Sequence, residues 1–155
     1  MTATTSITIR RAVREDVCFI VAMLADDKLG SARERLEDPP PPSYFKAFEA
    51  LDRDPNIQLV VAEEGGRVVG CLQLCVLPGL SSQGASRGLI EDVRVASDHR
   101  SRSIGEQLVG WAVEQSRAKG CKVVELLTHH SRVDAQRFYE RLGFQKSHVG
   151  MTIRF

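Results

Sequence analysis

The stretch of this chain best suited to chemistry runs Asp98-His99-Arg100-Ser101-Arg102-Ser103-Ile104-Gly105-Glu106-Gln107-Leu108. It is a short polar run of small and basic residues. Before it, Leu89–Val95 alternates as a strand does; after it, Ile104–Lys119 has helical spacing. A strand that turns tightly into a helix presents the first backbone amides of that helix, which have no partner and carry the positive end of its dipole. Small residues let an anion approach that backbone, and Arg100 and Arg102 add charge-assisted donors. A phosphate or pyrophosphate suits such a turn. An ordinary strand-to-helix connection with solvated arginines would have the same composition. Two phosphate sites are excluded by spacing: there is no GxxxxGK[ST], and no GxGxxG after the first strand. No ligand spacing implies a metal, and Cys18, Cys71, Cys75 and Cys121 form no CxxC pair. Those cysteines read as reduced, small core residues.

Around this turn the periodicity lays out the elements that must position it. Ser6–Arg10 is a short strand, with Ile7 and Ile9 on one face. Arg14–Lys28 carries Val17, Ile20, Val21 and Leu24 at helical spacing, and Gly30 is its stop. Ser31–Asp38 is charged and reads as a second short helix. Pro39–Pro42 must be extended, and Ser43 caps a helix running to about Asp54. Gln58–Glu63 and Arg67–Leu77 flank Glu64-Gly65-Gly66 as a hairpin. Val123–Leu127 is a short buried strand. Ser131-x-x-Asp134 opens a helix through Leu142 with Gly143 as its stop. Phe144–Phe155 alternates loosely and reads as a final strand pair. The order is that of a mixed α/β (α+β) domain with a central sheet, helices on its faces and one crevice.

In this order the segments resemble the GNAT superfamily of acyl-CoA-dependent N-acetyltransferases. Arg100-x-x-Ser103-x-Gly105 is similar to the family's pyrophosphate loop, with serine where the family has its first glycine. Ile90-Glu91-Asp92-Val93-Arg94-Val95 resembles its splayed central strand. Asp134-Ala135-x-x-Phe138-Tyr139-Glu140-Arg141-Leu142-Gly143-Phe144 resembles its later motif. The resemblance covers Ile7–Phe155, so residues 1–155 are read as one N-acetyltransferase domain with its motif core at 87–145. The ending Lys146-Ser147-His148, with Asp134-Ala135, is similar to the branch that includes aminoalkylphosphonate acetyltransferases.

The resemblance implies a central, twisted, mostly antiparallel mixed sheet of six to seven strands flanked by about four helices. It implies acetyl-CoA as acyl donor and direct transfer of the acetyl group to the amine of a small molecule. A protein or peptide amine is the second acceptor class, and a non-catalytic acyl-CoA-binding or interaction module is the alternative of another kind. Backbone amides at Val93, Arg94 and Val95 would take the pantetheine arm and the carbonyl. Amides from Arg100, Ser101, Arg102, Ser103, Ile104, Gly105 and Glu106 would hold the pyrophosphate. Ser131, Asp134 and Phe138 complete the implied donor site. Tyr139 resembles the general acid that protonates the departing sulfur. Glu91, on the same alternation as Val93, is the base candidate, with a structural carboxylate as the other reading. Asp92 points the other way, and His129 and His130 read as satisfied polar residues. The implied acceptor pocket falls on the first helices. There Asp26 and Asp27 would hold an ammonium and Arg33 or Arg35 an anionic group, unless this is a solvated helix end. Ser103 is the departure that matters, because a Cβ crowds the anion and disfavours positive φ.

Composition fits this reading. A chain of 155 residues buries roughly 70% of its unfolded surface, enough for a core without staples. Lys plus Arg is 21 and Asp plus Glu is 20. The formal net charge of +1 argues against a nucleic-acid backbone or a polybasic membrane surface as partner. Met1–Arg14 has no apolar core of signal length, and the longest apolar run, about Val17–Ala25, is short of a membrane span. A cytoplasmic protein is expected. Relatives pair through their sheets or late strands, so a homodimer is expected too.

Overall fold

The structure, a computed structural model, describes residues 6–155; the first five residues of the segment read for a leader lie outside it. Five strands form one sheet in the order β1-β2-β3-β4-β5: Ile7–Arg11, Ile57–Glu64, Arg67–Leu77, Arg87–Val95 and Val123–Leu126. Neighbours are antiparallel except β4 and β5, which are parallel. The helices are α1 (Val17–Ala25), α2 (Pro42–Arg53), α3 (Ser81–Gly84, a single turn), α4 (Ile104–Ala118) and α5 (Val133–Arg141). No helix among the described residues is long and apolar enough to cross a membrane.

The sheet is covered on both faces because its strands alternate. On β2, Val60 and Ala62 face α4, while Val61 faces α1 and α2. On β3 a bulge opposite Ala62/Glu63 shifts this alternation at Gly70. Val69, Leu72 and Leu74 therefore all reach the α4 side, and Val68 and Cys71 the other. Gly70 is where α4 lies closest: a Cβ there would be 3.0 Å from Leu108 Cδ1 and 3.2 Å from Ile104 Cγ2. Burial pushes the Cys71 thiol up to about 12, which leaves it an inert core residue. Cys75 is also buried, but Cys18 is exposed and so is not a core residue.

Several expectations change. Among the described residues there are five strands rather than six to seven, and five α-helices rather than about four. Residues 145–155 form no strand pair; Val149, Met151, Ile153 and Phe155 are all exposed. Alternation gives a segment a strand's pattern, but a strand also needs a face to bury, and the apolar side chains of this tail bury none. Ser31–Asp38 is not a helix either. Its start is turns in which the Gly30 carbonyl accepts from the amides of Arg33 and Glu34. A charged run with no apolar stripe has little to hold it in helical form. Helix α2 starts at Pro42 rather than after a Ser43 cap, since proline's fixed φ suits the first helical position. Helix α1 ends at Ala25 rather than Lys28. The following turn is closed by Asp27, whose Oδ1 accepts from the amides of Leu29 (2.8 Å) and Gly30 (2.5 Å). Only glycine fits at position 30, because a Cβ would be 1.9 Å from the Leu24 carbonyl oxygen.

Candidate active site

The site follows from where β4 loses its neighbour. Pairing of β4 with β5 covers Arg87–Ile90 against Val123–Leu126 and stops there, while β4 continues to Val95. A bulge in the pairing with β3, with Asp92 at φ 52°, bends the strand at the same place. Backbone groups of Glu91–Val95 on the β5 side are thereby left without a sheet partner and are free to bind something else. A cavity of about 750 Å³ opens in this gap, within the range of small-ligand sites. It is lined by Val93, Arg94 and Val95 on β4, by the turn into α4, by residues 131–135, by Phe138, Tyr139 and Arg141 on α5, and by Asp26 and Asp27 after α1.

The turn presents α4 to the cavity. Ser101 and Ser103 both lie in the left-handed region, with φ 62° and 59°. Ser103 is the residue before the helix and makes no capping bond through its side chain. The amides of Ile104, Gly105 and Glu106 begin the helix and have no partner within it. A Cβ at Gly105 would lie 3.2 Å from the Phe138 ring, so α5 closes over this turn. Free amides at the N-terminus of this fifteen-residue helix face the cavity and are the groups that could hold an anion.

Carboxylates hold the turn's basic residues. Arg100 Nη2 reaches Asp26 Oδ2 at 3.1 Å, and Arg102 pairs with both oxygens of Glu64 at 3.1 Å. Glu64 also meets Nε2 of buried His99 at 3.2 Å. His99 Nδ1 is 2.7 Å from Asp98 Oδ1, and Arg67 donates to the other oxygen of Asp98 at 2.8 Å. The His99 and Arg67 bonds hold the Asp98 carboxyl at about 2. Arg102 thus faces Glu64 and lies outside the cavity lining, whereas Arg100 belongs to it.

Tyr139 comes from α5, packed edge-on against Phe138 (5.1 Å) and Phe144 (5.8 Å). Burial raises its phenol above the usual value, and the Arg94 and Arg132 guanidiniums pull the other way. The phenol is therefore protonated at neutral pH and two cations face it. Asp27 lies between those cations. Its Oδ2 is 2.7 Å from Arg132 Nη2 and 3.8 Å from Arg94 Nη2. Burial disfavours the Asp27 charge, but the Gly30 amide, Arg132 and Arg94 outweigh it and hold the carboxyl at about 2. Glu91 sits two residues before Val93, accepts from Gln73 Nε2 at 3.2 Å and keeps solvent access. Partial desolvation, then the neighbouring Asp92, raise its pKa.

Most residues expected from the sequence line this one cavity: Val93, Arg94, Val95, Arg100, Ser101, Ser103, Ile104, Gly105, Glu106, Ser131, Asp134, Phe138, Tyr139, Asp26 and Asp27. Glu91, Arg102 and Arg33 are not among the lining residues. Asp26 and Asp27, expected to receive an ammonium, are both engaged by arginines. Ser131, expected to open α5, is not a helix cap; its hydroxyl is 2.7 Å from His129 Nδ1. Sequence reasoning missed Arg132 and His99 as site residues. The only sequence signal for either was position: Arg132 opens α5, and His99 sits inside the turn motif.

The description "Acetyltransferase (GNAT) family" matches residues 19–144. The chain is 36% identical over 110 residues to the aminoalkylphosphonate N-acetyltransferase of Salmonella typhimurium, covering 71% of each. It is 39% identical over 80 residues to the glucosamine 6-phosphate N-acetyltransferase of Trypanosoma brucei brucei, covering 52% of each. Among solved structures, a protein from Bacillus halodurans C-125 described as a transcriptional regulator superposes with a TM-score of 0.94 at 47% identity, over 97% of this chain and 100% of that one. Matched by that family over residues 19–144 and by the Salmonella enzyme over 71% of each chain, the chain belongs to the GNAT family of acetyltransferases, whose donor is acetyl-CoA, and is an N-acetyltransferase.

Proposed function

We propose that this enzyme transfers the acetyl group directly from acetyl-CoA to the amine of a small molecule within a single domain spanning residues 1–155. The observation that carries the reading is the convergence, in one cavity, of unpaired β4 backbone, free α4 amides and a protonated Tyr139. The donor supplies an activated thioester carbonyl. The amides of Ile104–Glu106, with Arg100, hold the diphosphate. Amides at Val93–Val95 hold the pantetheine arm and face the carbonyl oxygen where negative charge develops. Ser131, Asp134 and Phe138 flank the arm. Holding both reactants in one gap removes part of the bimolecular entropy barrier.

Three proton and bond events must balance. The amine loses a proton, the C–N bond forms as C–S breaks, and the thiolate gains a proton. Glu91 accepts the amine proton through water; its raised pKa makes it a better base than an ordinary glutamate. Tyr139 supplies the proton to sulfur. Two features extend the reading to the molecule's setting. The exposed, alternating Val149, Met151, Ile153 and Phe155 would be covered in a homodimer by a second copy. The four free cysteines suit a reducing, cytoplasmic setting.

The test is a thiol-release assay with purified protein, acetyl-CoA and a panel of small amines and peptides. Turnover with small amines is expected. CoA binding with no turnover on any amine would overturn the reading in favour of an acyl-CoA-binding module.

A further inference from the structure

We infer that Arg94 and Arg132 form a clamp for an anionic oxyacid group carried by the acceptor, within a few bonds of its amine. This rests on the acetyl-transfer reading above and names the substrate class of that site. The argument begins with charge. Two guanidiniums enter the cavity beside Tyr139, and one carboxylate, Asp27, answers both. Asp27 is already committed on its other oxygen to the amides of Leu29 and Gly30. It is also 3.8 Å from Arg94 Nη2, beyond hydrogen-bonding distance. The pair therefore keeps an excess positive charge in a partly enclosed place.

The second observation is an orphan. Arg94 Nε is buried and makes no hydrogen bond. Its Nη1 donates only to the carbonyl of the neighbouring Val93, at 3.0 Å. A buried donor without a partner costs free energy, so the Arg94 guanidinium is held here with its hydrogen-bonding capacity unspent. Guanidinium is a planar fork whose paired N–H groups match two oxygens of a phosphonate, phosphate or carboxylate.

The third observation is position. The Arg94 guanidinium lies against Val93, whose amide belongs to the carbonyl-binding stretch. An anion held there is close to the reacting amine, which favours short-spaced amino acids and aminophosphonates over long polyamines. Arg100 and Arg102 are not part of this clamp; Asp26 and Glu64 hold them on the diphosphate side. The clamp also moves the anionic-group role from Arg33, which lies outside the cavity lining, to Arg94 and Arg132.

The experiment has two arms. In the first, kcat/KM is measured for 2-aminoethylphosphonate, β-alanine and propylamine with wild type, Arg132→Gln, Arg132→Lys and Arg94→Gln. Wild type is expected to prefer the anionic amines. Arg132→Gln and Arg94→Gln should raise their KM about 10- to 100-fold while the KM for acetyl-CoA stays unchanged. Arg132→Lys should recover part of the loss. The ratio of phosphonate to carboxylate turnover identifies which oxyacid the clamp takes. In the second arm, methylphosphonate, which has no amine, is titrated calorimetrically into protein saturated with CoA. Binding to wild type that weakens at least tenfold in Arg132→Gln supports the clamp even if no amine in the panel turns over. Equal turnover of propylamine and the anionic amines overturns the clamp and leaves acetyl transfer standing. A raised KM for acetyl-CoA with an unchanged acceptor KM also overturns it, assigning the arginines to the donor. No binding of methylphosphonate to wild type overturns it as well.

Discussion

Ser103→Gly is the substitution that most directly probes the turn into α4. Ser103 sits at φ 59°, where an L-residue with a Cβ is strained by roughly 1–2 kcal/mol and glycine is not. Its side chain makes no capping bond to the helix, so removing it forfeits no such contact. Glycine returns part of the gain, because its unfolded chain is freer by roughly 0.5–1 kcal/mol. The net is a stabilisation of about 0–1.5 kcal/mol, or a rise of up to about 6 °C in Tm for a chain of this size. The approach to the Ile104–Glu106 amides also widens, so CoA should bind as tightly or more tightly. Ser103→Ala separates the two contributions. It keeps the strained Cβ and removes the hydroxyl, so it should gain no stability. If the hydroxyl reaches a phosphate oxygen, alanine should weaken CoA binding about 2- to 10-fold. Thermal melts and CoA calorimetry on both variants read these effects. A Ser103→Gly protein that melts several degrees lower would refute the strain argument, since it would mean the serine side chain holds the turn.

Other outcomes follow from single contacts. Gly88→Ala should destabilise by about 1–3 kcal/mol, because its Cβ would lie 2.4 Å from Oγ of fully buried Ser116; adding Ser116→Ala should recover part of that loss in chemical denaturation. Tyr139→Phe should lower kcat about 10²- to 10⁴-fold with little change in acetyl-CoA affinity; unchanged turnover would remove its role as acid. Glu91 must be ionised to act as base, and its pKa is raised, so kcat/KM should fall as pH drops through a value above the ordinary glutamate range. Glu91→Gln should abolish that acid limb, and a limb that survives would make Glu91 structural. Asp27 is held at about 2 in the folded protein against 3.8 ordinarily, so its contribution to stability is present above about pH 4 and is lost as pH falls towards 2. Acid titration of Asp27→Asn should lack that component.

Much of the framework was legible residue by residue. The Ile7/Ile9 alternation, the α1 and α4 apolar stripes and the Glu64-Gly65-Gly66 turn all gave elements that the fold contains, because each signal is local. The strand-to-helix turn before α4 was legible for the same reason: amides, small residues and helix start are contiguous. What misled was also local evidence used alone. The tail has a strand's alternation, yet residues 145–155 join no ladder and Val149, Met151, Ile153 and Phe155 stay exposed. Arg102 has the charge expected of a phosphate ligand, yet Glu64, 38 residues away, turns it aside. Asp27 has the charge for an ammonium, yet a guanidinium 105 residues away occupies it.

From the sequence alone, then, came the order of most elements and the strand-to-helix turn that lines the cavity. Both depend on backbone hydrogen bonding and side-chain periodicity, which act over a few residues. The tertiary structure decided which charges face the cavity and which neutralise one another. Arg94, Arg132 and Asp27 meet only because β4 parts from β5 and the α1 and α5 ends close over the gap. Coulomb interactions depend on distance in space, and folding brings together residues that the chain keeps far apart.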